Sequence, residues 1–375
     1  MKKILIVPDS FKGTLSSPEI CRIIKKQALK VFPQAEVITL PVADGGEGST
    51  DSFLQAVGGQ KIQIQAKGPY MNDIDTFYGI LQNGTAIIET AACAGLSLTK
   101  KNKDPRKTTT YGLGQLMLDA AQRGCKNITV GLGGSCTNDA GCGAAAAVGI
   151  RFYDADGNAF IPTGGTLQDI AKIDASGYQL GQTCITAMCD ITNPLYGQNG
   201  AAYVFAPQKG ADENCVQQLD MGLRHLADIL AQDLHVDVST LTGGGAAGGM
   251  GAGMYAFFHA QLCSGIETVL KTVQFEKHLT GTDLVITGEG RLDSQSVQGK
   301  VIDGIAKKAR SRRIPVVAIV GGYDSQLEDI YAAGVTAVFS INRLPLPLAC
   351  SAKDSADNLA LTAENIFRIL KGTSL

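Results

Sequence analysis

The sequence has no surplus of charge of either sign. Its 375 residues include 33 Lys and Arg against 35 Asp and Glu, for a net charge of −2. Proteins that bind nucleic acid or anionic membranes through their overall field need a strong basic balance. We therefore expect no nucleic-acid or membrane partner, and a few placed cations and backbone N–H groups would have to meet any anionic ligand.

Closely spaced metal-binding residues are also missing. The chain has ten Cys but no CxxC pair, and only four His. Zinc sites usually combine such pairs with nearby His, whereas Cys in apolar runs behaves as a small hydrophobe. The pattern predicts reduced, structural thiols in a cytoplasmic protein.

Long apolar runs are absent as well. The first run, residues 4–7, ends at Pro8 and is shorter than the roughly 7–15 residues of a signal-peptide core. The uncharged stretch 239–266 is rich in Gly and carries His259 and Gln261, unlike a membrane-spanning helix of large apolar residues. We expect neither a secretion signal nor a membrane span.

A strand–helix–strand pattern is present at both ends of the chain. Residues 3–7 and 37–40 predict buried strands, and Ser16-Ser17-Pro18-Glu19 predicts a capped helix start between them. Apolar strands recur at 283–287, 315–320 and 336–341. In the middle, alternating residues and the Asn83-Gly84 hairpin signal predict antiparallel strands.

The predicted fold class is α/β with two α/β domains. A discontinuous Rossmann-like parallel-sheet domain would comprise residues 1–62 and 282–375, and a second, mixed-sheet domain would be inserted at 63–281. The alternative is two sequential α/β domains that meet near residue 150.

Four predicted strands end in an acid with glycine, hydroxyl or amide neighbours. Ligands of parallel α/β sheets bind beyond the carboxyl ends of the strands, so these groups predict a polar crevice. Carboxylates gathered there repel one another unless a cation lies among them, and Mg²⁺ suits such oxygen ligands. The strand-end residues are Asp9, Ser10 and Lys12; Asp44; Asp190, Thr192 and Asn193; and Glu289, Arg291 and Asp293.

Two glycine clusters, residues 131–141 and 243–249, resemble phosphate cradles. Glycine allows backbone N–H groups to approach phosphate oxygens. The second cluster contains GxGxxG, but no convincing strand leads into it, and no GxxxxGK[ST] motif occurs. The predicted nucleotide-binding residues are Gly133, Gly134, Ser135, Thr137, Asn138, Asp139, Gly244 and Gly245.

Six segments resemble the bacterial type-I glycerate kinase (glycerate 2-kinase) family, in order along nearly the whole chain. Cys136 and Ala140 stand where that family more often has Ala and Gly, and neither change removes a polar group. The segments are DSFKGTLSS (9–17), PVADGGEG (41–48), GGSCTNDAG (133–141), CDITNPL (189–195), PQKGA (207–211) and DLVITGEGRLDSQS (283–296).

The resemblance implies ATP-dependent phosphorylation of D-glycerate at the 2-hydroxyl, giving 2-phosphoglycerate. It also implies two α/β domains, one of them Rossmann-like and discontinuous. From the residue types, phosphoryl transfer needs a base, carboxylates for Mg²⁺ and groups that neutralise charge. Our hypothesis gives catalysis to Asp190 as base, with Asp44 as rival, and to Lys12 and Asp9; substrate binding to Ser10, Arg291, Thr192 and Asn193; and Mg²⁺ to Asp293 and Glu289.

Three alternatives stay open from the sequence. The first is transfer to the 3-hydroxyl. The second is a nicotinamide-dependent hydroxy-acid dehydrogenase, which the GxGxxG match favours and the absence of a glycine fingerprint after the first strand disfavours. The third is a small-molecule sensor without catalysis, which the many strand-end acids disfavour. A monomer and a homodimer are both compatible with the sequence.

Overall fold

The computed structural model describes residues 1–11, 13–42, 46, 48–99, 103–292, 301–323, 327–343 and 352–372. Three predicted site residues, Lys12, Asp44 and Asp293, lie outside the described residues.

The helices and strands alternate along most of the chain. The strands are β1 (Lys3–Pro8), β2 (Glu36–Thr39), β3 (Gly59–Lys67), β4 (Asp73–Leu81), β5 (Thr85–Glu89), β6 (Asn127–Gly131), β7 (Arg151–Tyr153), β8 (Ala159–Phe160), β9 (Lys172–Asp174), β10 (Cys184–Met188), β11 (Gln261–Cys263), β12 (Leu284–Gly288), β13 (Arg291–Leu292), β14 (Val316–Val320), β15 (Gly322–Tyr323) and β16 (Ala337–Ser340). The α-helices are α1 (Ser17–Val31), α2 (Ser49–Val57), α3 (Ala91–Ala94), α4 (Tyr111–Gln122), α5 (Cys142–Ala147), α6 (Ala201–Phe205), α7 (Glu213–Asp233), α8 (Ala246–Phe258), α9 (Gly265–Thr272), α10 (Phe275–Leu279), α11 (Val301–Arg310), α12 (Glu328–Ala333) and α13 (Ser355–Gly372). Short 3₁₀ helices cover Leu96–Thr99, Gly164–Asp169, Pro207–Lys209 and Ala352–Asp354.

The chain divides into two compact units. Unit 1 comprises Met1–Asp44, Asp51–Gly58 and Gly265–Leu375, and unit 2 comprises Gly45–Thr50 and Gly59–Ser264. One unit holds a wholly parallel sheet and the other a mixed sheet, so the predicted α/β fold class is confirmed. The predicted boundaries near residues 62 and 282 stay a prediction about independently folding domains.

Unit 1 is built on a parallel sheet with the strand order β16-β14-β12-β1-β2. The central strands β1, β12 and β14 are almost continuously buried, as expected for strands with both faces covered. Helix α1 begins as predicted: Ser16 caps it, and Ser16 and Glu19 form a capping box. Its apolar face packs against α13, where the rings of Phe32 and Phe367 meet edge to face.

The order of unit 1's strands marks a switch point. From β1 the chain steps to β2 on one side, whereas β12, β14 and β16 extend the sheet on the other side. The strand order therefore reverses between β1 and β12. In open α/β sheets, ligands bind outside the carboxyl ends of the strands at such a point.

Unit 2 contains a mixed sheet with the strand order β11-β10-β6-β5-β4-β3. Strands β5, β6, β10 and β11 run parallel, and β3 and β4 pair antiparallel. The predicted hairpin is confirmed, because β4 and β5 pair antiparallel and Gly84 lies in the turn between them with a φ of +79°. A separate antiparallel sheet has the order β8-β7-β9.

None of the described helices has the length and apolar character needed to cross a membrane.

Candidate functional site

Two acids lie side by side at the switch point of unit 1. Pro8 pairs with Gly288 in the ladder, and the backbone N–H of Asp9 donates to the carbonyl of Gly288 at 2.8 Å. Asp9 and Glu289 are therefore the next residues on two neighbouring strands, whose backbones lie roughly 5 Å apart across the sheet. Both side chains are buried, with 7% and 6% exposed. Two adjacent carboxylates favour a cation between them.

The other described residues predicted for this edge are more accessible. Ser10 is half-buried, and its backbone N–H donates to Asp9 Oδ1 at 2.6 Å. Arg291 is exposed at the start of β13, which pairs with β15. The structure thus places Asp9, Ser10 and Glu289 just beyond the carboxyl ends of β1 and β12, and Arg291 in the short two-stranded sheet that follows.

The N-terminus of α1 is closed to an anion, although it follows this edge directly. The Ser16 hydroxyl accepts from the Glu19 N–H, and the Glu19 carboxylate accepts from the Ser16 N–H at 2.9 Å. The N–H groups of Ser16 and Glu19 are thus occupied within the capping box, and a carboxylate already lies where the helix dipole attracts negative charge.

In unit 2, four parallel strands end in one row. Glu89, Gly131, Met188 and Cys263 are successive ladder partners across β5, β6, β10 and β11. The loops that leave this row therefore start next to one another. They carry the exposed residues Gly133 and Gly134 after β6 and Asp190 after β10.

Asp190 lies in hydrogen-bond contact with the last residue of unit 2. The Ser264 hydroxyl donates to Asp190 Oδ1 at 2.9 Å. Thr192 is exposed beyond it, and Asn193 holds the following turn because its Nδ2 donates to the Asn199 carbonyl at 2.8 Å. The sequence analysis named Asp190, Thr192 and Asn193 together, and the structure places them on one strand-end loop.

The first glycine cluster has an exposed tip and a buried base. Gly133 and Gly134 are exposed. Four other predicted nucleotide-binding residues are buried: Ser135, Thr137, Asn138 and Asp139. In this conformation these four support the loop from within and do not meet solvent.

Asp139 organises that buried base. Its carboxylate accepts from the Thr110 N–H at 2.7 Å, from the Thr110 hydroxyl at 2.8 Å, and from the N–H groups of Gly141 and Gly143, each at 3.2 Å. Burial raises the pKa of Asp139, and the hydrogen bonds from Thr110 oppose that shift. Among the residues that the structure describes, neither amide atom of the neighbouring Asn138 has a hydrogen-bond partner.

Lys209, from the segment PQKGA, supports the same loop. Its Nζ is buried and donates to the carbonyl of Thr137 at 2.6 Å. Burial lowers the pKa of this lysine to about 8, because a buried ammonium loses its hydration.

The second glycine cluster is packed inside unit 2. Gly244 and Gly245 are buried, and their N–H groups donate to the carbonyls of Leu241 and Asn193, each at 3.0 Å. In this conformation neither group can donate to a phosphate. A side chain at Gly248 would come within 2.0 Å of the Thr137 carbonyl oxygen, so this glycine serves close backbone packing.

Glu89 is a residue that the sequence analysis missed. Its side chain is 2% exposed and accepts from the N–H groups of Gly48 at 3.0 Å and Thr50 at 2.5 Å. It therefore fixes the backbone at Gly48 and Thr50, which follows the predicted site residue Asp44 in the chain. The same rule could have found it, since Glu89 is an acid at the end of a strand and follows Ile87-Ile88 directly.

A model of the glycerate kinase family matches residues 4–371.

The chain belongs to the glycerate kinase family.

Full-length relatives agree with this assignment. The chain is 43% identical to a glycerate kinase of Bacillus cereus and 42% identical to the glycerate 2-kinase of Escherichia coli K12, in each case over 98% of both chains. A crystal structure from Salmonella typhimurium LT2, assigned as glycerate kinase 2, covers all of both chains with a TM-score of 0.90 and 42% identity.

Membership in the glycerate kinase family makes the chain a phosphotransferase and implies ATP as its co-substrate. It argues against the dehydrogenase and sensor alternatives. The structure adds a physical reason against a dehydrogenase. The GxGxxG match does not follow a strand, and its glycines are buried by packing.

Proposed function

We propose that this enzyme transfers the γ-phosphoryl group of ATP to the 2-hydroxyl of D-glycerate, with Mg²⁺, and releases 2-phosphoglycerate and ADP. The 2-hydroxyl is favoured by the full-length relation to a protein named glycerate 2-kinase. The observation that carries the chemistry is the exposed Asp190 carboxylate at the end of β10 in unit 2, beside the exposed glycines that follow β6.

Asp190 is proposed as the general base. It accepts the proton of the glycerate hydroxyl while that oxygen bonds to the γ-phosphorus and the bond from phosphorus to the ADP oxygen breaks. An exposed carboxylate at a strand end can be reached by a small hydroxy acid, whereas the buried Glu89 and Asp139 already accept several backbone N–H groups. Thr192, on the same loop, is proposed to contact the substrate.

The exposed tip of the first glycine cluster is proposed to contact phosphate. Gly133 and Gly134 present backbone without side chains, and glycine-rich backbone suits phosphate oxygens. Gly244 and Gly245 are left out of this proposal because their N–H groups are used inside unit 2. Ser135, Thr137, Asn138 and Asp139 are proposed to hold the shape of the loop.

The oxygen donors of unit 1 fit Mg²⁺. Glu289 lies in register beside Asp9 at the switch point, and oxygen ligands are what this hard cation requires. Among the described residues no three acidic, His or Cys side chains gather to hold a metal by themselves, but Mg²⁺ on a nucleotide needs only one or two carboxylates. Glu289 and Asp293 would hold the ion, which neutralises charge on the phosphate oxygens when bound.

The remaining proposed roles in unit 1 concern charge and orientation. Arg291, which is exposed, and Lys12 would meet the negative charge of phosphate or of the substrate carboxylate. Ser10 would donate to the substrate. Asp9 would orient these groups, since it already accepts the Ser10 N–H.

The proposed reaction is tested by ³¹P NMR of the purified enzyme with ATP, Mg²⁺ and D-glycerate. We expect the signal of authentic 2-phosphoglycerate. A 3-phosphoglycerate signal would overturn the regiochemistry and leave the kinase assignment. Intact ATP with D-glycerate, but turnover with another hydroxy acid, would overturn the substrate.

The base assignment is tested by Asp190→Asn. We expect kcat to fall by about 10²–10⁴-fold, which is the usual contribution of a positioned base. Asp156→Asn, an exposed acid in a turn of the same unit, is the matched control and should keep wild-type kcat. Near-normal kcat for Asp190→Asn would exclude Asp190 as the base.

A further inference from the structure

The hydrogen bond between Ser264 and Asp190 joins residues 74 positions apart. Ser264 directly follows β11, and Asp190 follows β10 with one residue between. Ser264 lies outside the six segments that resemble the glycerate kinase family, and none of the roles proposed so far uses it. Its hydroxyl nevertheless contacts the carboxylate that is proposed as the general base.

The backbone around Asp190 is already held without Ser264. The N–H of Cys189 donates to the carbonyl of Cys263 at 2.8 Å and so extends the ladder past the end of β10. The Cys189 thiol also donates to the carbonyl of Ile191 at 3.4 Å. The segment from Cys189 to Ile191 is thus fixed on both sides of Asp190.

These backbone contacts do not by themselves select one orientation of the carboxylate. Asp190 is exposed, and an exposed side chain can exchange among rotamers unless a contact selects one. The Ser264 hydroxyl supplies such a contact at 2.9 Å. An ionised carboxylate only accepts hydrogen bonds, so the serine is the donor.

We propose that Ser264 is the positioning residue of Asp190. Its hydroxyl holds Oδ1 so that the carboxylate keeps one orientation towards the incoming glycerate hydroxyl. This inference rests on the proposed role of Asp190 as base. It assigns no proton transfer to Ser264 itself, which acts only through the carboxylate.

The physical basis is pre-organisation. A base that is already oriented loses no rotational freedom when the substrate arrives, and small misplacements of reacting groups reduce rates strongly. The hydrogen bond also favours the ionised carboxylate, which is the form that accepts a proton. Removing the hydroxyl should therefore slow the chemical step and weaken the ability of the base to stay ionised in acid.

The test compares Ser264→Ala, Ser264→Cys and Ser264→Thr. We expect Ala and Cys to lower kcat about tenfold, because a hydrogen bond to a carboxylate contributes modestly in an exposed setting, with little change in KM for ATP. The acid limb of the kcat–pH profile should move to higher pH. Thr keeps the hydroxyl and should restore both properties.

A structural role would not move the pH profile, and two further measurements separate the explanations. Ser176→Ala is the matched control, because this exposed serine also hydrogen-bonds an aspartate, Asp174, on the separate small sheet; it should leave kcat and the profile unchanged. In an Asp190→Asn background, Ser264→Ala should lower kcat no further, since the two residues act as one unit. Cys is close to Ser in size and keeps the test valid if the Ala variant folds poorly.

The experiments distinguish an error in the role of Ser264 from an error in the role of Asp190. If Asp190→Asn abolishes activity while Ser264→Ala and Ser264→Cys keep kcat within twofold of wild type, the positioning role is wrong and the base assignment stands. If Asp190→Asn itself keeps near-normal kcat, the proposed base is wrong and the role of Ser264 falls with it.

Discussion

The two glycine clusters of unit 2, residues 131–141 and 243–249, differ in where their glycines lie. The first exposes Gly133 and Gly134 at the end of a parallel strand. The second buries Gly244 and Gly245 and uses their N–H groups internally. Both are rich in glycine; the first precedes α5 and the second runs into α8, yet only the first leaves backbone open to a ligand in this structure.

The two clusters contact each other directly. The N–H of Ala140 donates to the carbonyl of Gly248 at 3.1 Å, and Gly248 also packs against the carbonyl oxygen of Thr137. Lys209 Nζ donates to it at 2.6 Å, and a side chain at Gly248 would lie 2.0 Å from it. Glycine at position 248 lets the backbone of the second cluster approach the buried part of the first. Glycine spacing therefore signals close backbone approach, and the approaching group can be protein as well as phosphate.

Gly248→Ala should give the largest effect on stability. The residue has a φ of +75° and no room for a side chain, so strain and overpacking together should cost about 3–5 kcal/mol. The measurement is the free energy of unfolding from urea titration. Gly84→Ala is the control, because its φ is +79° but nothing lies within 4 Å. Equal losses for the two variants would contradict the packing role of Gly248.

Lys209 should make stability depend on pH in the alkaline range. Its folded-state pKa is about 8, whereas an ordinary lysine has a pKa of 10.5. Between these values the unfolded chain therefore binds a proton that the folded chain has lost. The free energy of unfolding should therefore rise from about pH 8 to pH 10.5, by on the order of 3 kcal/mol.

Other groups titrate in the same range, so the informative quantity is the difference between wild type and Lys209→Met. That difference should grow in favour of wild type as the pH rises through this window. A difference that stays constant with pH would show that Lys209 is not desolvated. The buried residues of the first cluster would then be more accessible to water than the structure indicates.

Gly134→Ala should give the smallest loss of stability and a specific loss of function. Its φ of +76° predicts a cost of about 1–2 kcal/mol. If the exposed tip of the first cluster contacts phosphate, KM for ATP should rise by about tenfold. This is the effect of losing one contact of about 1.4 kcal/mol. Gly157→Ala, with a φ of +82° and open space, should show the strain without the change in KM. An unchanged KM for Gly134→Ala would place the nucleotide elsewhere.

The features that the sequence predicted well depend on residues close together in the chain. The capping box of Ser16 and Glu19 joins residues three apart, and the hairpin at Gly84 needs only a two-residue turn signal. Alternating and continuous apolar runs were enough to predict α/β architecture, because strand and helix periods differ. The strand-end positions of Asp9, Asp190 and Glu289 were also predicted, since polar residues after a buried run stand out in the sequence, whereas their roles stay a prediction.

What the tertiary structure alone decided is which of these groups face solvent and which face one another. The sequence by itself determined the fold class and the strand-end acids, because local spacing encodes both. It could not separate the exposed Gly133 from the buried Gly244, nor foresee that Ser264 donates to Asp190. Burial and long-range pairing depend on strand order and register, which the whole chain decides together.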